Sequence, residues 1–514
     1  MNPEPDRGRG VPAPKAGRRE WWGLAALALP CLLYSMDLTV LNLAVPHITA
    51  DLRPTGAQLL WIVDVYGFLL AGALIAMGAV GDRIGRRRLL MLGALAFGGA
   101  SVFAAFATSP EMLIAARALL GLAAATLAPS TLSLIRTMFR DDRQRSFAIG
   151  IWIASFSAGG AVGPLVGGLL LDHFWWGSVF LVAVPVMAAL LAVGPFLLPE
   201  YRDPSGARTD FVGAALSVLA VLAAVYGIKH AAAAGIDPSS IAALAAAAVL
   251  GAAFVRRQGR IEAPLVDLGL FRSPGFAVSL LVNLLGFFMA FGTLLFLAQH
   301  LQLVLGMRPF EAGLWTLPSA AGFVAGSFVA PMLASSRHPA DVMALGLVAA
   351  AAGFAALAWS ASQGTFAALV AGSFLLSIGL APVFTLATDL VVGAAPAHGA
   401  GAAAAVAETS SELGGALGIA VLGTVAIAVY RGRVAEALPA GLAADTLAAA
   451  REGVGPALEA AASLAGGHAA SLAAAARDAF AAAFATTSLL CVAVSLAAAC
   501  VALALRRVRA GTAH

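Results

Sequence analysis

The stretch Gly78-Ala79-Val80-Gly81-Asp82-Arg83-Ile84-Gly85-Arg86-Arg87-Arg88 joins an apolar run at 58–80 to a second at 89–108. A bilayer-spanning helix needs about 20 apolar residues, and both runs have that length. The joint between them is short. Gly81 and Gly85 allow a tight reversal, and Arg83, Arg86, Arg87 and Arg88 hold it at an anionic inner membrane face. The local reading is two membrane helices joined by a tight basic turn. A topology anchor accounts for the arginines and leaves Asp82 unexplained.

The rest of the chain extends this reading. Of 514 residues, 61% are hydrophobic and 11% charged, with a formal net charge of +4; the mean hydropathy is +0.90. A soluble chain is about 45–50% apolar and about 25% charged. The composition excludes a soluble enzyme, a disordered protein and a disulfide scaffold. Cys31, Cys491 and Cys500 lie in apolar segments without CxxC spacing, which points to neither a metal site nor a disulfide framework. Residues 1–20 are polar, and the apolar run after them continues to Val45, too long for a cleaved signal peptide.

Apolar runs lie at 21–45, 58–80, 89–108, 111–137, 146–171, 177–198, 211–229, 239–255, 275–300, 311–334, 340–360, 364–392, 401–430 and 479–505, which predicts an all-α integral membrane protein with fourteen spans. Sorting the basic residues by alternate loops puts 23 on the side of the N-terminus and seven on the other. That bias predicts two cytoplasmic termini; twelve spans would satisfy the same parity. The expected organisation is a cytoplasmic tail (1–20), a six-helix bundle (21–198), an inserted two-helix hairpin with its flanking loops (199–274), a second six-helix bundle (275–505) and a cytoplasmic tail (506–514). The second bundle carries the one long outer segment, 431–478, expected as short amphipathic helices.

Motifs of other chemistries are missing. Lys15 and Lys229, the only lysines, are not in a phosphate-binding Gly-Lys-Ser/Thr context. No HExxH and no GxSxG occurs. The chain therefore reads as a non-enzyme that needs no cofactor and no metal. Its expected partners are small-molecule cations, protons and membrane lipids, with no nucleic acid, and the expected state is a monomer.

Ionisable groups within spans are expensive and mark function. Asp37 lies in the first span and Asp64 in the second. Glu408 and Glu412 lie in the thirteenth, where i,i+4 spacing puts both on one face. Arg117 is the one basic residue well inside a span. It needs a polar partner or a water-filled cavity, since a guanidinium keeps its charge, and it reads as a cavity-lining or proton-relay residue ahead of the alternative of a simple structural ion pair. For each acid the bland alternative is a paired charge that only fixes packing. Asp389, near the inner end of its helix, reads as interfacial. On the fifth span Gly159, Gly163 and Gly167 repeat at i+4, as do Gly160, Pro164 and Gly168. Small residues at that spacing let helix backbones approach closely, and Pro164 removes a backbone donor.

These residues resemble the motifs of the major facilitator superfamily, most closely its fourteen-helix drug:proton antiporters, which export quaternary ammonium compounds and methyl viologen. Residues 78–88 match the inter-helix loop motif, with Gly78, Asp82, Arg83, Gly85 and Arg86. Arg117 with Gly121 matches the fourth-helix motif, and Gly159–Gly168 match the antiporter motif of the fifth helix. Asp37-Leu38-Thr39 through Asn42 and Pro46 match the first-helix motif. The resemblance implies two six-helix bundles around a central cavity in the cytoplasmic membrane, with alternating access and proton-driven export. It makes Asp37, Glu408 and Glu412, and more weakly Asp64, cation- or proton-site residues. It makes Asp82 a latch onto the opposite bundle in the outward-facing state. Some relatives carry an acid inside the tenth helix. Here that helix has only Glu311 at its edge, which points to monocations rather than dications. Export of an endogenous or neutral natural product is the alternative function, and a transport-inactive sensor a more remote one.

Overall fold

In lipid every backbone group must be satisfied within its own segment, and the secondary structure follows: the regular elements among the described residues are all helices. The computed structural model describes residues 15–54, 56–200, 210–234, 237–261, 264–395, 400–438, 442–464 and 467–510. Most of the predicted N-terminal tail and of the 199–210 loop, and residues 511–514 of the C-terminal tail, lie outside them, as do the side chains of Asp64 and Pro164.

The long helices are α1 (Arg18–Leu52), α2 (Gly56–Ile84), α3 (Arg86–Ala105), α4 (Pro110–Met138), α5 (Asp142–His173) and α6 (Ser178–Leu197, interrupted at Val182). Then come α7 (Phe211–Ala234) and α8 (Pro238–Gln258). The last six are α9 (Pro274–Gln299, continued by a π turn at His300–Val304), α10 (Pro309–Ala334), α11 (Pro339–Gln363), α12 (Phe366–Ala394), α13 (Ala400–Ala437) and α14 (Gly467–Ala510). Among the described residues, 11 helices are long and apolar enough to cross a membrane. The other three, α1, α2 and α8's partner α7, are 35, 29 and 24 residues long. Of these, α2 and α7 hold shorter apolar stretches at Val65–Gly78 and Val212–Ile228.

Helix starts are written locally. Ser109 accepts from the Met112 N–H at 3.2 Å ahead of Pro110, and Asp141 accepts from Gln144 at 3.0 Å. Asp237 and Ser240 form a capping box at the start of α8. Each satisfies N–H groups that the first helical turn leaves without a partner.

The helix pairings repeat. In the first six helices α1 packs on α5 and α6, α2 on α4, and α3 on α4 and α6. Eight helices later the same pattern recurs: α9 on α13 and α14, α10 on α12, and α11 on α12 and α14. Ion pairs repeat with it. Arg87 at the start of α3 meets Glu200 beyond α6 at 3.5 Å, and Asp341 at the start of α11 meets Arg506 of α14 at 2.8 Å. The two sets meet along two seams, α2 against α13 and α5 against α10.

Helix α7 lies along the first seam, packing on both α2 and α13, and α8 packs on α7. Phe68 and Ala71 of α2 form a small apolar cluster there with Val221 and Val225 of α7, and Leu413 of α13 packs against it. A clasp closes the base of this hairpin: Arg257 pairs with Asp210 at 2.9 Å, while the Gln258 side-chain oxygen accepts from Leu265 N–H at 2.6 Å. Burial works to raise the Asp210 carboxyl. Hydrogen bonds from the Gly213 N–H, Arg257 and Gln258 outweigh it and hold the group below the usual carboxylate range.

At 38 and 44 residues, α13 and α14 are longer than a hydrocarbon core of about 30 Å requires. Between them, within the 431–478 segment read as short helices, lie two short helices, Ala444–Glu452 and Val454–Ala462. Tyr430 donates to the Ala450 carbonyl at 3.0 Å and Arg431 to that of Arg451 at 3.2 Å, tying the first short helix to α13.

Candidate functional site

The first bundle supplies an ion pair and an aromatic wall. Arg117 on α4 is fully buried, and its guanidinium donates to the Asp37 carboxylate on α1 at 2.6 Å. It also donates to the Ile62 carbonyl at 3.2 Å and lies 4.5 Å from the centroid of the Tyr66 ring, a cation–π geometry. The charges of Asp37 and Arg117 thus neutralise each other. Beside them, Tyr34 stands 6.2 Å from Tyr66 and edge-on to Phe156 at 5.5 Å. Trp152 packs on Phe156 at 4.8 Å and is held by its indole N–H donating to Thr131 at 3.0 Å.

The second bundle supplies the acids. Glu412 on α13 accepts from the Tyr34 hydroxyl at 2.6 Å, across the boundary between the bundles. Glu408 lies one turn away, half-buried, within electrostatic reach of Glu412, Tyr34 and Cys31. Among the described residues Glu408 takes part in no hydrogen bond or ion pair. A carboxylate in that setting attracts a cation more strongly than one facing a fixed arginine, because burial weakens the screening of its charge.

Glycines set how closely these helices approach. A methyl on Gly159 would collide with the Leu32 carbonyl of α1, and one on Gly167 would stand 2.9 Å from Val40. The α9–α13 pair uses the same device: methyls on Gly414 and Gly418 would collide with the carbonyls of Leu284 and Phe288. Asn283 of α9 adds a hydrogen bond to Ser411 at 2.9 Å there. Gly163 is buried beside Gly159 and Gly167, while Gly160 and Gly168 have more room.

The basic turn is built as its composition suggests. Gly85 takes φ 108°, in the left-handed region, and a side chain on it would collide with Glu200. Arg86 is fully buried and paired with Asp82. The reach to the opposite bundle is made by Gly78 and Arg86: a methyl on Gly78 would stand 2.8 Å from the Gly401 carbonyl, and the Arg86 guanidinium covers Gly401. Arg83 is exposed at the same turn. Further links join the bundles at this end. Arg145 of α5 pairs with Asp389 of α12 at 2.8 Å, and Ser146 donates to the same carboxylate. Arg136 of α4 donates to the Val392 and Gly393 carbonyls. The 82–88 end of the molecule is closed.

Of the residues singled out in the sequence, Asp37 and Arg117 come together, and so do Glu408 and Glu412. Asp389, read as interfacial, ties two bundles together near the 82–88 end. Tyr34, Tyr66, Asn283, Arg145 and the Gly414/Gly418 stripe were not singled out. The intramembrane tyrosines and asparagine, and the Gly414-Gly415-Ala416-Leu417-Gly418 repeat, were the signals that could have found them. Among the described residues no group of three or more His, Cys, Asp or Glu side chains is placed to hold a metal ion.

Known proteins agree with this architecture. The chain is 46% identical to the multidrug efflux pump LfrA of Mycolicibacterium smegmatis over 94% of its length and 95% of that protein's. It is 36% identical to the methyl viologen resistance protein SmvA of Salmonella typhimurium, over 87% of this chain and 90% of that one. The crystal structure of the human organic anion transporter MFSD10 superposes with a TM-score of 0.61 at 15% identity, covering 93% of this chain and 99% of that one, a likeness of fold. The profile of the Major Facilitator Superfamily matches residues 27–419, and the chain, a multi-pass membrane transporter of small molecules, belongs to that family.

Proposed function

We propose that the protein expels lipophilic, monocationic toxic compounds across the cytoplasmic membrane in exchange for protons, by alternating access. One observation carries this reading. Among the described residues, Asp37 of the first bundle is paired with Arg117, while the second bundle holds two acids, Glu408 and Glu412, one turn apart and beside an aromatic wall. Among the described residues, Glu408 has no ion-pair partner. An ionised carboxylate draws the cation in, and a proton arriving from outside removes the attraction and releases it. Two carboxylates this close resist joint ionisation, so proton and cation compete for one site. The multidrug and methyl viologen resistance of the relatives supports efflux of toxic compounds, and proton coupling follows the habit of the family.

In this proposal fourteen helices cross the membrane and both termini are cytoplasmic. Residues 21–198 and 275–505 are the rocking bundles, and 199–274 insert the α7–α8 pair. The 82–88 end then faces the cytoplasm, and its closure makes this the outward-facing state. Asp82 acts there through Arg86, holding it over Gly401, and the protein works as a monomer.

The test is an efflux assay on intact cells with a panel of cationic and neutral toxicants, with and without a protonophore. Expulsion of monocations that stops when the proton gradient collapses is the expected result. Expulsion of neutral compounds alone would replace this reading with natural-product export.

A further inference from the structure

We propose that Tyr34 is a built-in occupant of the cation site: its hydroxyl holds the Glu412 carboxylate in the substrate-free protein, and an organic cation must displace it to bind. This rests on the cation-efflux reading above. Tyr34 and Glu412 are 378 residues apart and belong to opposite bundles, yet their oxygens lie 2.6 Å apart. The links from Arg136, Arg145 and Ser146 that also join the bundles lie at the 82–88 end. The tyrosine bond is a tie in the middle of the molecule.

A phenol suits this task. It donates one hydrogen bond to a carboxylate and brings no charge, so it holds the oxygen without neutralising it. A cation offers the same oxygen a full counter-charge and prevails. The Tyr34 ring is braced by Phe156 on α5 and Tyr66 on α2. Once the hydroxyl is displaced, its face remains as a wall for the incoming cation. Because Tyr34 rides on α1 and Glu412 on α13, the bond exists only while the bundles are together at this height. Cation binding and the tie exclude each other, so substrate binding shifts the population towards separated bundles. Glu408, without a hydrogen bond among the described residues, stays open to a proton throughout.

Tyr34→Phe removes the donor and keeps the ring. The full chain in detergent, with tetraphenylphosphonium as probe, should bind about ten- to a hundredfold tighter in Tyr34→Phe, the range expected for releasing one charge-assisted hydrogen bond. Turnover in liposomes should fall at the same time, splitting kcat from KM. In a Glu412→Gln background the Tyr34→Phe change should have no effect on affinity, which a double-mutant cycle reads directly. Tyr34→Ala, which also deletes the wall, should bind more weakly than wild type. Infrared difference spectra without any substrate give an independent reading: the Glu412 carboxyl band, assigned by its loss in Glu412→Gln, should move in Tyr34→Phe. An unmoved band overturns the proposal, as does unchanged affinity in Tyr34→Phe. If the band moves but the wild type does not bind the probe, the tie stands and the cation-efflux reading falls instead.

Discussion

The two bundles share a scaffold and differ in chemistry. Each packs its first helix against its fifth through glycines that admit the neighbour's backbone, Gly159 on Leu32 in one and Gly414 on Leu284 in the other. Where the first bundle sets a buried ion pair beside this zipper, Asp37 with Arg117, the second sets Asn283 with Ser411 and leaves its carboxylates on the far face of α13. Among the described residues the packing repeats without the charges: the fold uses the glycine contact twice and the Glu408/Glu412 pair of acids once. Among the described residues, the first bundle sets its buried Asp37 against an arginine, and the second sets Glu408 against none.

The sharpest way to break this contrast is Glu412→Gln. Energised efflux of a monocation should fall by at least about tenfold, the result of losing an interaction worth more than about 1.4 kcal/mol, and the pH dependence of substrate binding should flatten. Glu408→Gln should be milder. Transport assays and binding between about pH 5.5 and 8.5 check both, and equal losses in the two variants would remove the distinction between them.

Next in size are changes to the first bundle's pair. Asp37→Asn leaves Arg117 buried without its counter-charge, and breaking a buried pair costs about 3–5 kcal/mol. The variant should unfold at lower temperature in detergent and lose transport. Asp37→Asn with Arg117→Met should recover much of the melting temperature. Recovery of transport as well would sharpen the contrast by making the first bundle purely a wall; failure to regain it would give Asp37 a direct role.

Gly159→Val and Gly414→Val probe the part that repeats. Overpacking costs about 1–3 kcal/mol, and the two losses of thermal stability should be similar. Smaller still is the effect expected at the closed end. Asp389→Asn removes the carboxylate that Arg145 and Ser146 share, so cysteine pairs placed across α5 and α12 should cross-link several-fold less often. Swapping the charges, Arg145→Asp with Asp389→Arg, should restore the cross-link.

The smallest expected effect lies outside both bundles. The Asp210 carboxyl is held below its usual range in the folded hairpin, so its clasp contributes fully above the ordinary carboxylate range of about pH 4. That contribution is lost as the pH falls through the lowered value. The protection of the Leu265 amide, corrected for the intrinsic pH dependence of exchange, should fall on acidification below about pH 4 and stay level above it, with Asp210→Asn less protected above about pH 4 and matching wild type at low pH.

Much of this molecule was legible in its residues. Spans appear because lipid leaves a helix no alternative, and their apolar length is local information. The Gly85 turn, the Asp141 and Asp237 caps and the Gly159–Gly167 stripe are local as well, since each depends on backbone geometry within a few residues. The i,i+4 spacing alone put Glu408 and Glu412 on one face.

What only the tertiary structure decided is which polar groups meet. Asp37 finds Arg117 across 80 residues, Arg145 finds Asp389 across 244, and Tyr34 finds Glu412 across 378. Each acid read by itself is a candidate for both charge pairing and ligand binding, because a buried charge must be compensated by something and its own helix does not say by what. The partner is chosen by how α1, α4, α5, α12 and α13 cross. That crossing is set by side-chain shape and small-residue contacts summed over whole helices, which no short stretch of sequence contains.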